Sequence, residues 1–165
     1  MDNRNLRGLT MGLVSPALVK GANKSYTTTV TSAGIINGKY VTPLTAQTAQ
    51  AVPTTDATTG AAFVALATQQ ATVVVVGQNA AGTIQASQGT IVPTALGVTT
   101  TAGSFINYPQ FPALPADFIV FGYLLARTAP SATSWTFGTD NWAATGVTCT
   151  EFVQCAVLPA RPTST

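Results

Sequence analysis

FINYPQFPALPADFIVFGYLLAR, Phe105 to Arg127, divides in the middle, and the division decides the fold. Pro109, Pro112 and Pro115 each lack a backbone donor and fix φ, so Tyr108 to Asp117 cannot be helix or interior ladder and reads as an extended connector. From Phe118 to Ala126 the prolines stop and an unbroken apolar run begins. It is rich in β-branched and aromatic residues, and at about half the length a membrane span needs it reads as a core strand. Strict alternation places Phe118, Val120, Gly122 and Leu124 on one face and Ile119, Phe121, Tyr123 and Leu125 on the other. Neither face is polar, so both need cover, from a second layer of the same chain or from another subunit. Ile119, Phe121, Tyr123 and Leu125 are the candidate subunit interface.

Outward from this stretch, the composition fits a single domain with a normal core: 165 residues, 46% hydrophobic. Charge is the anomaly. Only 7% of residues are charged, against roughly 25% in an ordinary soluble domain. Thr, Ala, Gly, Ser, Gln and Pro take the places of Lys and Glu. Low charge with high hydrophobicity is the reverse of a disordered composition and suits a surface held at fixed contacts or outside a cell.

The net charge of +2 is too small to argue for nucleic acid, but its distribution is lopsided. Arg4, Arg7, Lys20, Lys24 and Lys39 precede residue 40, with only Asp2 against them. This basic end reads either as a solvated tail or as an arm docking on an acidic surface. A nucleic-acid contact would want aromatic residues interleaved with the charges, and none precedes Tyr26. Residues 1–24 show no sustained period and are broken by Gly8, Gly12, Pro16 and Gly21, so they read as an extended N-terminal arm, with a β-sandwich domain over residues 25–165. Arg4, Arg7, Leu9, Leu13, Lys20 and Lys24 are its candidate docking residues. Arg4 and Arg7 before Leu9 to Val19 imitate a secretory leader, but Ser15-Pro16 interrupts the apolar part and lysines follow it, so secretion is not expected.

Along the rest of the chain, Tyr26 to Thr31 reads as a short polar strand, Gly34 to Gly38 as a turn, and Lys39 to Thr42 as another strand ended by Pro43. Leu44 to Gly60 carries no clear signal. Thr72 to Val76 and Thr83 to Ser87 form a hairpin around the turn cluster from Gly77 to Gly82, and Gly89 to Val92 extends or re-enters the sheet. A Thr-rich connection leads to Phe105. Beyond Arg127, Thr133 to Phe137 reads as a strand, Gly138 to Thr145 as a loop, and Val147 to Val157 as one long closing strand. Cys149 and Cys155 then share a face about 20 Å apart, too far for a disulfide and so free thiols. Roughly eight short strands with no helix predict an all-β chain, a β-sandwich or jelly-roll-like single domain.

The chemistry is sparse. With no His in the chain, Ser-His and Cys-His nucleophile pairs and His metal sites are excluded. The five acids never cluster, and no phosphate loop, dinucleotide fingerprint or calcium loop occurs. No enzymatic activity, cofactor or metal is expected, and no membrane contact. Trp135 and Trp142 flank the Phe137 to Asn141 loop and are the candidate for a sugar-stacking platform, against the commoner role of large aromatics in core packing. The Thr runs lack the regular repeat an ice-binding array needs.

VVVVGQNAAGTIQASQG (Val73 to Gly89), YPQFPALPADFIVFGYLLA (Tyr108 to Ala126), WTFGTDNWAATGVTCTEFV (Trp135 to Val153) and Leu158-Pro159 together resemble a pattern in small structural proteins of tailed bacteriophages, over about half the chain. Where that pattern more often has a polar or basic residue followed by Ala-Pro, this chain has Asp117-Phe118. The resemblance implies a capsid decoration (cement) or head-fibre-type virion protein, a β-rich homotrimer seated on the major capsid protein lattice at the capsid exterior. A carbohydrate- or receptor-binding module of a phage tail or surface protein, using Trp135 and Trp142, is the alternative.

Overall fold

The computed structural model describes residues 9–163 of the chain. Among them are twelve strands and no helix: β1 (Met11–Val14), β2 (Leu18–Lys20), β3 (Ser25–Thr28), β4 (Ala33–Ile36), β5 (Lys39–Tyr40), β6 (Gln47–Ala51), β7 (Gln70–Gln78), β8 (Ile84–Gln88), β9 (Val92–Pro93), β10 (Ile119–Thr128), β11 (Val147–Cys149) and β12 (Val153–Gln154). They form an all-β sandwich. The main sheet runs β11-β10-β7-β8, with β12 also on β10 and β9 also on β7; the smaller sheets are β1-β4-β5 and β2-β3-β6. Every strand pairing is antiparallel.

The centre joins two strands that the sequence marks individually, in a pairing it did not specify. β10 lies against β7 from Ile119 opposite Gln78 to Arg127 opposite Ala71, and β7 turns back into β8 as the predicted hairpin. The four valines of β7 divide between two cores: Val74 and Val76 face the first, Val73 and Val75 the second. The first core lies between one face of the main sheet and the small sheets, where Leu18, Tyr26 and Ile36 meet Ile84, Leu124 and Trp135.

Strict alternation fails within β10. Val120 stands opposite Gly77 and Gly122 opposite Val76, so Phe121 is an extra residue and forms a β-bulge. The bulge exchanges the faces beyond it. Ile119 and Phe121 share the first core with Leu124 and Ala126, whereas Phe118, Tyr123 and Leu125 belong to the second. Glycines flank the kink because backbone closes on them. A Cβ on Gly77 would overlap the Ile119 carbonyl oxygen, and one on Gly122 would overlap that of Val153.

The second face is covered by the chain itself. Phe105, Phe111 and Leu114 of the proline connector pack over it, with Cys155 and Leu158 from the C-terminal segment. Phe111 meets Tyr123 edge-on at 5.0 Å between ring centroids, and the Tyr123 hydroxyl accepts the Thr163 N–H at 3.1 Å. Ile119, Phe121, Tyr123 and Leu125 are each 1% exposed. The proposed subunit interface is therefore corrected: these side chains are core residues on two different faces, satisfied within one chain.

The closing segment is two strands, not one. It leaves regular pairing at Thr150, whose N–H donates to the Leu125 carbonyl while its hydroxyl accepts the Leu125 N–H. A side chain thus replaces a ladder carbonyl and Phe152 turns into the first core. Cys149 packs with the first core and Cys155 with the second, so the two thiols do not share a face; both are free. Two further differences are local. Ile35 and Ile36 lie in β4, the turn being Asn37-Gly38 with φ of 51° and 77°, and Trp135 makes a single bridge to Leu66 where a strand was expected.

The N-terminal arm is corrected over residues 9–24, while residues 1–8 lie outside the described residues. β1 pairs with β4 and β2 with β3, so residues 9–24 belong to the domain. Leu18 is buried in the first core. The Gln154 side chain holds the edge of β2, its amide nitrogen donating to the Leu18 carbonyl and its oxygen accepting the Leu18 N–H at 3.3 Å. These partners are more than 130 residues away in sequence, which is why the segment has no period of its own.

Candidate functional site

Of the candidate docking residues, Arg4 and Arg7 lie outside the described residues. Lys20 is committed internally. Its ammonium sits 3.1 Å from the Glu151 carboxylate and donates to the Cys149 carbonyl at 3.0 Å. Lys24 donates to the Thr139 carbonyl at 2.9 Å. Lys20 thus ties β2 to the segment after β11 and is neutralised there, whereas Lys24 is exposed and reaches only the loop that holds Thr139. Leu9 and Leu13 have the opposite character and are exposed.

Trp135 and Trp142 cannot stack a sugar. They are 0% and 5% exposed, with ring centroids 6.3 Å apart and Phe137 5.6 Å from Trp142. Their indole N–H groups are bonded to the Asn141 and Ser25 carbonyls. The intervening loop is closed by the Asp140 carboxylate, which accepts the Thr136 N–H at 2.7 Å. The platform reading is corrected to a core aromatic cluster that pins β3 to this loop.

The titratable groups are dispersed. Asp56 is buried and accepts the N–H groups of Thr58, Thr59 and Gln88, which fastens its loop to β8. Burial pushes the Cys149 thiol up to about 12, against a smaller downward pull from Lys20, and burial also raises the Cys155 thiol. Such thiols are poor nucleophiles near neutral pH. Among the described residues no cluster of His, Cys, Asp and Glu could hold a metal ion, and no helix is long and apolar enough to cross a membrane.

One surface stands out by its chemistry. In the sheet β1-β4-β5, Met11 lies opposite Ile35 and Ile35 opposite Tyr40, a cross-strand row on one side. Gly12 and Gly34 point the other way, against Ile119. The outer side therefore carries Met11, Ile35 and Tyr40, with Leu9, Leu13 and Val14 beside them. Tyr40 is 81% exposed, and Leu9, Met11, Leu13 and Val14 are also exposed. Single exposed apolar residues are ordinary, whereas a contiguous apolar sheet face marks a place for a partner. The Leu9, Met11, Leu13 alternation was visible in the sequence; Tyr40 joins it only through the β4-β5 turn.

Comparison with known proteins returns no matching family model, no matching curated protein and no matching solved structure.

Proposed function

We propose that the chain is a non-enzymatic virion structural protein, a capsid decoration protein that seats on the major capsid protein lattice of a tailed phage. The observation that carries this reading is the apolar outer side of β1-β4-β5, a cross-strand row of exposed apolar side chains on a chain with few charges. A lattice offers many copies of one fixed surface. A protein that binds only the assembled shell stabilises it by mass action. The resemblance to phage structural proteins supplies the kind of lattice. The homotrimer loses the argument from β10, whose two faces are covered within one chain, so a trimer would be built from other residues.

The test uses shells purified from the source phage without this protein. The full chain should sediment with them, and a variant carrying Met11→Asp, Leu13→Asp and Tyr40→Asp should lose attachment at least about tenfold while melting as the parent does. Attachment retained by the folded variant would overturn this face as the docking surface. Failure of the parent protein to sediment with shells would overturn the decoration reading itself.

A further inference from the structure

On the opposite side of the main sheet, the proline connector and the C-terminal segment enclose an open groove of about 800 Å³, lined by residues 106–111 and 160–162. Beside it runs a stack of two rings between two guanidinium groups, of which Tyr108 and Arg161 line the groove. The Arg127 guanidinium lies 4.9 Å from the Phe105 ring centroid and donates to the Gly103 carbonyl at 2.9 Å. Phe105 stacks on Tyr108 at 4.7 Å and 21°, and the Arg161 guanidinium lies 5.7 Å from the Tyr108 centroid. The inner end of the stack is fixed by Arg127, and the outer end presents Arg161.

Arg161 is exposed, makes no ion pair among the described residues, and faces no carboxylate lining the groove. A guanidinium held on a ring keeps its in-plane N–H fork free for a bidentate anion. The Asn107 and Gln110 amides line the same groove and make no side-chain hydrogen bond to a described residue, so neutral donors and acceptors surround the single cation.

We propose that this groove binds an anionic, hydroxyl-rich glycan, with Arg161 taking a carboxylate or phosphate and Asn107 and Gln110 taking hydroxyls. One positive charge amid amides suits a chain whose anions are spaced among hydroxyl groups. A nucleic-acid backbone, with a charge at every residue, would call for several cations. The site lies on the other side of the main sheet from β1-β4-β5, so a molecule seated through that sheet turns the groove outward. The groove itself does not depend on that seating.

Titration of the full chain with a uronate polymer, a phosphate-linked polyol polymer and neutral dextran tests this. Binding of either acidic polymer and not dextran is expected, and which one binds identifies the anion. Arg161→Gln should weaken binding about tenfold and flatten its salt dependence at an unchanged melting temperature. Asn107→Ala with Gln110→Ala should weaken binding while keeping the salt dependence. The proposal is overturned by no binding to either acidic polymer at millimolar repeat-unit concentration, by equal binding of dextran, by indifference to Arg161→Gln, or by tighter binding of a single-stranded oligonucleotide in the same groove.

Discussion

A buried polar junction bolts the small sheets to the main one, and its energetics can be worked out atom by atom. Gln78 ends β7 at 0% exposure. Its side-chain oxygen accepts the Ser32 hydroxyl at 2.5 Å and its amide donates to the Thr42 carbonyl at 3.3 Å. The Ser32 oxygen in turn accepts the Leu44 N–H at 2.9 Å. Ser32→Ala leaves two buried groups, the Leu44 N–H and the Gln78 oxygen, without partners. At roughly 1–3 kcal/mol for each unsatisfied group, the expected loss is about 3 kcal/mol. Gln78→Met keeps the shape but strands the Ser32 hydroxyl, while Thr42, at the surface, regains water; about 2 kcal/mol is expected. The double variant removes both ends of the Ser32–Gln78 bond together and leaves only the Leu44 N–H unpaired, so it should lose about 2 kcal/mol and not the sum of about 5, a coupling near 3 kcal/mol. Urea unfolding followed by fluorescence of the buried Trp135 and Trp142 reads all three. Additive losses, or a single variant costing under about 0.5 kcal/mol, would show that the junction is not a closed network.

Two further perturbations address the bulge and the buried thiol. Gly122→Ala drives a methyl group into the Val153 carbonyl and should cost about 3 kcal/mol, lowering Tm by roughly 10 °C. Gly60→Ala, with φ of 72° and nothing near its Cβ, should cost only about 1 kcal/mol, and equal losses would refute the close approach at β12. For Cys149, burial raises the thiol from its ordinary 9.0 to about 12, so the fold favours the protonated form. That contribution is whole below pH 9 and is lost as pH rises from 9 towards 12. The urea midpoint of the parent should therefore fall more steeply above pH 9 than that of Cys149→Val, and parallel slopes would refute it.

What the sequence disclosed follows from how local each cause is. The β7-β8 hairpin and β10 were legible because contiguous valines, a turn cluster and a proline-free apolar run each act over a few residues. The break at Thr150 and the bulge at Phe121 were not, because each depends on what a neighbouring strand does. Alternation has no means of registering an extra residue, so every side chain beyond Phe121 was assigned to the wrong face. Gly77 and Gly122 were the available signal, since a glycine inside an apolar strand marks a bulge or a close backbone. The first strands were missed for a related reason. Backbone pairing is blind to side-chain pattern, and the side-chain contacts that hold β2, Gln154 on Leu18 and Glu151 on Lys20, reach it from the far end of the chain. The ion pair with Glu151 also commits Lys20 within the fold, while the apolar members of the candidate docking set, Leu9 and Leu13, stay exposed.

That exchange of charged for apolar residues alters the physics of the proposed attachment. An arm steered by lysines would be screened within about 8 Å at physiological salt and would release from its partner as salt rises. A face of Met11, Leu13 and Tyr40 gains by removing apolar area from water, which added salt does not weaken. The groove at Arg161 behaves in the opposite way, since its single cation is exposed to screening. Salt therefore separates the two surfaces on one molecule. Shell attachment that persists at high ionic strength while glycan binding fades assigns each partner to its own side of the main sheet. Attachment that fades together with glycan binding would place the seating on charged residues instead.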